Sequence, residues 1–135
     1  LVNNAGHDDD AIRGMGNVYY DQQKFDALAG ANALVMPSLL ESLSIVTLEA
    51  WATERPVIVD ARSPVLASMA TRARAGLAYR SWMEFAEIAE LLVSDGALGD
   101  RLGRSGARFV GATYTWPAVV EKYRDLLAEV AVRNS

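Results

Sequence analysis

The stretch that decides the fold is ANALVMPSLLESLSIVTLEAWATERPVIV, residues 31–59. It opens on ALVMP (33–37), a continuous apolar run closed by a proline. A run this short and this apolar reads as a strand buried on both faces. SIVTLEAWATE (44–54) then reads as a helix, ended by the proline after Arg55, because the residue ahead of a proline is pushed out of the helical region. PVIVD (56–60) is a second apolar run with a β-branched centre, as strands prefer. Strand, helix and strand in this order imply a crossover unit and a parallel sheet.

The same alternation extends outward in both directions. Upstream, Leu1-Val2 reads as the end of a strand and NVYY (17–20) as a short β-favouring run. DQQKFDALAGA (21–31) reads as a helix with Asp21 as its N-cap and Phe25, Leu28 and Ala29 on one face. Downstream, VLASMATRAR (65–74) is helical, with Gly76 as its stop, and AGLAYR (75–80) is a weak strand or extended turn. SWMEFAEIAELLVSD (81–95) is the most strongly patterned helix. Ser81 and Glu84 make a capping box there, and Trp82, Phe85, Ile88 and Leu92 form the stripe to be buried. GALGDRLGRSGARFVGATY (96–114) reads as a shorter, glycine-interrupted helix with a stripe of Leu98, Leu102 and Phe109. WPAVVEKYRDLLAEVAV (116–132) closes the chain as an amphipathic helix, with Pro117 in its first turn and Val119, Val120, Tyr123, Leu127 and Val130 in its stripe. Trp51, Trp82 and Trp116 all lie on amphipathic patterns, so each is expected in the core. The fold class that follows is α/β: a Rossmann-like parallel sheet with helices on both faces, ending in long helices.

Composition narrows the function classes. The chain has 135 residues, 51% of them hydrophobic and 22% charged, with a net charge of −4. That is enough for one core and too little for two, so residues 1–135 read as a single domain. An acidic balance with Lys24 and Lys122 as its only lysines gives no electrostatic reason to expect nucleic acid or an anionic membrane as partner. Without cysteine there is no disulfide, thiolate nucleophile or cysteine-held zinc. The lone His7 cannot build a histidine cluster, and His7-Asp8-Asp9-Asp10 reads as a solvated polar loop. No metal and no other cofactor is expected. No apolar run approaches a membrane span and no signal peptide is visible. Cysteine absence is compatible with a cytoplasmic location, which is the expectation.

Within ESLSIVTLEA (41–50), Glu41 and Glu49 frame the start of the central helix. In open parallel sheets, ligands bind beyond the carboxyl ends of the strands, where the SLLES loop lies. The first amides of a helix lack internal partners and attract anions. A diphosphate at Ser44, Ile45 and Val46 would have Glu41 on one side and Glu49 on the other, about 7.5 Å along the axis. Carboxylates accept hydrogen bonds from sugar hydroxyls. The same two glutamates also suit an ordinary helix, whose dipole favours acids at its start, and the spacing leaves both readings open. Glu121 and Glu129 have the same separation inside one helix, with no strand-end loop before them, and read as solvent-facing charges.

Taken as a whole, ANALVMPSLLESLSIVTLEAWATERPVIV resembles the retaining glycosyltransferases of group 1, which have the two-Rossmann GT-B architecture. Pro37, Ser38, Glu41, Leu48, Glu49, Ala50, Pro56 and Val57 stand where that family's pattern places them. GLAYRSWMEFAEIAELLVSDGALGDRLGRSGARFV and ATYTWPAVVEKY resemble its later segments, so the likeness runs from about residue 17 to 130. The resemblance implies a nucleotide-diphosphate sugar donor and a separate acceptor. It places donor-sugar hydroxyls and the charge at the anomeric centre on Glu41, the ribose hydroxyls on Glu49, and the sugar or diphosphate on the amides of Leu43, Ser44, Ile45 and Val46. Retention by same-face displacement, with the leaving phosphate assisting, does not require Glu41 to be a covalent nucleophile.

The chain departs from the pattern in places. Ser42-Leu43-Ser44 replaces Gly-Phe-Gly, and RSPVLASM (62–69) lacks the usual Gly-Gly-x-x-Glu. It begins at Leu1 without an initiator methionine, inside what reads as a strand. The expectation is therefore a truncated donor domain, without the N-terminal acceptor domain and its catalytic histidine, and without transferase activity on its own. Two other readings stand beside it. One is a non-catalytic Rossmann-like interaction or regulatory domain. The other is a short-chain dehydrogenase fragment, suggested by LVNNAG (1–6) and by Tyr20 and Lys24 in a Tyr-x-x-x-Lys spacing. In that family a far longer segment separates the two motifs.

Overall fold

The computed structural model describes residues 21–133. The expected strands at Leu1-Val2 and NVYY, the His7–Asp10 loop and Tyr20 lie outside the described residues. The elements are α1 (Asp21–Gly30), β1 (Leu34–Met36), α2 (Ile45–Ala52), β2 (Val57–Asp60), α3 (Pro64–Ala73), β3 (Gly76–Tyr79), α4 (Trp82–Ser94), α5 (Gly96–Thr113) and α6 (Trp116–Arg133). The three strands form one parallel sheet in the order β1-β2-β3. Val57 stands opposite Leu34 on one side and Gly76 on the other.

The β-branched run of β2 makes it the centre, with all of its residues buried. Successive side chains in a strand point to opposite faces. Val57 and Val59 join Trp51 of α2 and Leu66, Met69, Ala70 and Ala73 of α3 in one apolar cluster. Ile58 points the other way, where α4 packs against β2 and β3. Helices therefore cover both faces, as the α/β pattern predicts. β1 departs from expectation: it is an edge of the described sheet, and its central Val35 is exposed. Apolarity of ALVMP alone could not distinguish an edge from an interior position.

Trp51 locks α2 into this core. Its side chain is fully buried, and its indole N–H donates to the Ala75 carbonyl at 3.0 Å. The Phe109 ring of α5 meets it edge-on at 5.9 Å between centroids. Two buried glycines let α5 come this close. A Cβ at Gly106 would stand 2.5 Å from the indole, and one at Gly103 would overlap the Glu54 carbonyl. The α5 glycines are thus contact points, and α5 runs unbroken for 18 residues rather than being the shorter, interrupted helix expected. Gly99, Gly103 and Gly106 are buried, whereas Leu98, Leu102 and Phe109 are half-buried.

Other boundaries and stripes shift for identifiable reasons. α1 begins at Asp21 itself, so that residue lies within the helix rather than ahead of it. Leu28 is buried and Phe25 half-buried, but Ala29 faces out. α3 stops at Arg74, which takes the left-handed conformation (φ 50°), and Gly76 belongs to β3 instead. At Gly76 a Cβ would press on Val57 at 2.5 Å. Ser81 caps α4 by accepting from Glu84 N at 3.2 Å, and the Glu84 carboxylate returns to Arg80 N at 2.7 Å. On α4 only Leu92 is buried; Phe85 and Ile88 are half-buried, and Trp82 is 76% exposed. Trp116 is 80% exposed, and α6 buries no residue. Val120, Tyr123, Leu127 and Val130 of its stripe are exposed, and Val119 is half-buried. A helical period shows that a face is apolar, not that anything covers it.

The α2–α5 contact yields a paired test. Gly103→Ala is expected to destabilise the chain by about 1–3 kcal/mol, because the new methyl meets backbone that cannot rotate away. Gly111 is exposed with nothing within 4 Å of a Cβ, so Gly111→Ala should stabilise by about 0.5–1 kcal/mol through helix propensity alone. Urea unfolding midpoints of the two variants check both signs.

Candidate functional site

Parallel strands place the loops after β1, β2 and β3 on one edge of the sheet. The loop after β1 runs from Pro37 to Ser44 and exposes Leu39, Leu40 and Leu43. Ser38 Oγ donates to the Leu40 carbonyl at 3.2 Å and tightens its start. Glu41 is half-buried in this loop. It lines a cleft of about 430 Å³ together with Leu39, Leu40 and Ser42, and the opposite wall is Pro64 and Val65 at the start of α3. The β1 loop and the start of α3 thus meet across one concavity, with Glu41 as its acidic side chain.

α2 begins at Ile45, with Ser44 as its buried N-cap. The Ser44 hydroxyl does not cap the helix. It accepts from Thr47 Oγ1 at 2.9 Å instead, and no acidic residue stands in the first turn. The first amides of α2 therefore have no side-chain acceptor from their own cap, which leaves the dipole's positive end open to an anion. Leu43 and Ile45 project outward, and Val46 is half-buried.

Glu49 lies one turn into α2 and does not line the cleft. Its carboxylate takes a hydrogen bond from Lys24 Nζ of α1 at 2.7 Å. The same ammonium stands 5.2 Å from the Phe25 ring. In sequence Lys24 stands in a Tyr-x-x-x-Lys spacing with Tyr20, and its pairing with Glu49, 25 residues away, is tertiary. Glu121 and Glu129 are both exposed on α6, as solvent-facing charges should be, and Glu129 forms a 3.5 Å surface pair with Arg133.

A further charged group stands at the end of β2. Asp60 is 1% exposed, and its carboxylate accepts from Arg62 through Nε at 3.0 and 3.2 Å, Nη2 at 2.6 Å and the backbone N–H at 2.9 Å. The Arg62 side chain is nevertheless 66% exposed. The Arg62 hydrogen bonds, side-chain first and backbone second, hold the Asp60 carboxyl below the usual carboxylate range. Burial, and then the Asp60 charge, push the Tyr79 hydroxyl above its ordinary value, so Tyr79 stays neutral at physiological pH. No motif in the sequence marks Asp60 or Arg62 as a site residue. The available signal was an acid closing a buried strand with an arginine two residues on. Among the described residues, no three His, Cys, Asp or Glu side chains converge as a metal site, and no helix is long and apolar enough to cross a membrane.

Comparison with known proteins supplies the context of this edge. A family model described as glycosyl transferases group 1 matches residues 1–95, a span that includes both walls of the cleft. The structure is similar to that of a sucrose-phosphate synthase from Thermosynechococcus elongatus, with a TM-score of 0.65 and 26% identity. That match covers 79% of this chain and 27% of the other, so the present chain spans about a quarter of its length.

The Asp60–Arg62 pair makes stability depend on pH. The folded value of Asp60 lies below the unfolded one, so its contribution is complete above the ordinary aspartate pKa of about 3.9. It is lost as pH falls through the lowered native value. Asp60→Asn should flatten the acid limb of a plot of unfolding midpoint against pH; an unchanged limb would show that the pair does not contribute.

Proposed function

Because the chain belongs to the glycosyl transferases of group 1, we propose that it forms the donor-binding Rossmann-like part of a retaining enzyme. The whole protein would transfer a sugar from a nucleotide-diphosphate sugar to an acceptor. The observation that carries this reading is Glu41 in the cleft beside an α2 start left open by its own cap. Glu41 would accept hydrogen bonds from donor-sugar hydroxyls and oppose the positive charge that grows at the anomeric carbon. Such fixed charges favour the transition state over the bound ground state. The amides of Leu43, Ser44, Ile45 and Val46 would face the diphosphate.

Glu49, one turn further along α2, would hold the ribose hydroxyls. Its bond to Lys24 fixes the carboxylate and leaves acceptor capacity for a hydroxyl. No metal is expected in this reading, because the amides at the start of α2 would face the negative charge that grows on the leaving diphosphate. The LVNNAG stretch that suggested a dehydrogenase lies inside the span matched by the glycosyltransferase family. The exposed stripe of α6 favours a second reading, an interaction domain without catalysis.

Binding and turnover in the protein that carries this chain separate these readings. Glu49→Ala should weaken nucleotide-diphosphate sugar binding by about tenfold, the loss of one charged hydrogen bond. Glu41→Ala should lower turnover by about a hundredfold or more, with a smaller effect on nucleotide affinity. Glu121→Ala and Glu129→Ala should match the parent in calorimetry and in rate. Parent-like behaviour of both Glu41→Ala and Glu49→Ala would reject the transferase assignment.

A further inference from the structure

Resting on that reading, we propose that the Glu41 cleft takes the apolar body of the acceptor, an alcohol whose hydroxyl is carried on an aliphatic or aromatic group. Leu39, Leu40, Pro64 and Val65 give the cleft apolar walls, and only Glu41 and Ser42 line it with polar side chains. A hexose filling it would bring several hydroxyls, and each one left without a partner away from water costs free energy. The Glu41 carboxylate can serve the hydroxyls of a donor sugar at the border, but the walls beyond it match hydrocarbon. The same carboxylate disfavours an anionic occupant. A neutral body with few polar groups remains.

Exposure on the same loop points the same way. A single exposed leucine needs no explanation, whereas a cluster marks a binding surface. Leu40 is 92% exposed and Leu39 46%, and Leu43 and Ile45 continue the exposed run into α2. Both walls are held without a ligand. Ser38 Oγ donates to the Leu40 carbonyl and pins the backbone beneath that side chain. Across the cleft, Ser63 caps α3 by accepting from Leu66 N at 3.5 Å, and Val65 packs against the buried core. A preformed site loses less freedom on binding, and about 430 Å³ lies within the range of small-molecule pockets. The placement also suits transfer. The acceptor oxygen would bond to the anomeric carbon as that carbon's bond to the diphosphate oxygen breaks, and the hydroxyl proton would pass to the leaving diphosphate. Glu41 stands at the anomeric centre in the donor reading, so a body held by Leu40 and Val65 would bring its hydroxyl to the place of exchange.

The first experiment follows Leu and Val methyl signals of the protein that carries this chain. The titrants are 1-butanol, 1-hexanol and 1-octanol, with D-glucose as the polar reference. The Leu39, Leu40 and Val65 methyls should move saturably, with affinity rising about fourfold per added methylene, and D-glucose should leave them in place. Comparing 2-phenylethanol with 1-octanol tells an aromatic body from an aliphatic one. Leu40 is almost wholly exposed, so Leu40→Ser leaves the core intact and should weaken binding about tenfold. Leu127→Ser, on the exposed face of α6, should bind as the parent does. Linear or absent shifts, or parent-like binding by Leu40→Ser, overturn the proposal.

The second experiment places the alcohol relative to the donor. Calorimetry on the same protein compares n-octyl glucoside with methyl glucoside, with uridine, adenosine and guanosine diphosphates absent and present. The octyl compound should bind about tenfold tighter or better. That preference should survive a saturating nucleotide and vanish in Leu40→Ser. Equal binding of the two glucosides, or displacement of the octyl compound by a nucleotide, overturns the proposal while leaving the Glu41 and Glu49 effects intact. If the preference depends on Leu40 but none of the nucleotides binds, the transferase reading falls and the apolar site stands.

Discussion

The arrangement depends on one buried side chain, the indole of Trp51. It is the largest fully buried group in the described structure, and its N–H must be satisfied where water cannot reach. The Ala75 carbonyl does this, and that oxygen also receives the Val57 amide at 3.2 Å. A single carbonyl thus joins α2, the first residue of β2 and the lead-in to β3. The apolar rim of the indole then decides how near α5 can lie, and only glycine fits at the closest point. Burial of so large an aromatic surface contributes several kcal/mol at about 25 cal/mol per Å², so this contact fixes the angle of α2 on the sheet.

The site inherits its geometry from that angle. α2 carries both ends of the proposed donor site, with the Glu41 loop before it and Glu49 along it. α3, packed through Leu66 and Met69 on the same core, presents Pro64 and Val65 across the cleft. A rotation of α2 would change the cleft, the open helix start and the reach of Lys24 to Glu49 together. The polar features at the edge add little to stability by comparison. The Lys24–Glu49 pair is partly exposed and belongs with ion pairs that contribute at most about 1 kcal/mol. Its consequence is orientation of the carboxylate rather than cohesion of the fold.

Much of this was legible in the chain of residues. Short apolar runs set against amphipathic helical periods located β2, α2, α4 and α6 to within a residue or two. The strand–helix–strand alternation of residues 31–59 carries the fold class, and its proline and glutamate pattern carries the family. Ser81 and Glu84 announced their cap because capping is local chemistry. Local signals failed where packing partners decide. The α5 glycines looked like interruptions, since nothing in the segment reveals that Glu54 and Trp51 lie against it. Trp82 and Trp116 looked like core residues, since an amphipathic period does not say whether its apolar face is covered. Arg74 ends α3 in a conformation that glycine would favour, and the sequence pointed to Gly76 instead.

By itself, the sequence determined the alternation of elements, the parallel sense of the sheet, the family and Glu41 as a residue of the strand-end loop. Each of these follows from neighbours within one strand–loop–helix unit, where chain connectivity limits the choices. Only the tertiary structure decided that Glu49 is held by Lys24, 25 residues away in sequence, and that Glu41 faces Pro64 and Val65. The outward presentation of Arg62 from a buried Asp60 belongs to the same class. Such relations depend on which helix packs on which face, and that choice is made by shape complementarity across the core rather than by any local pattern.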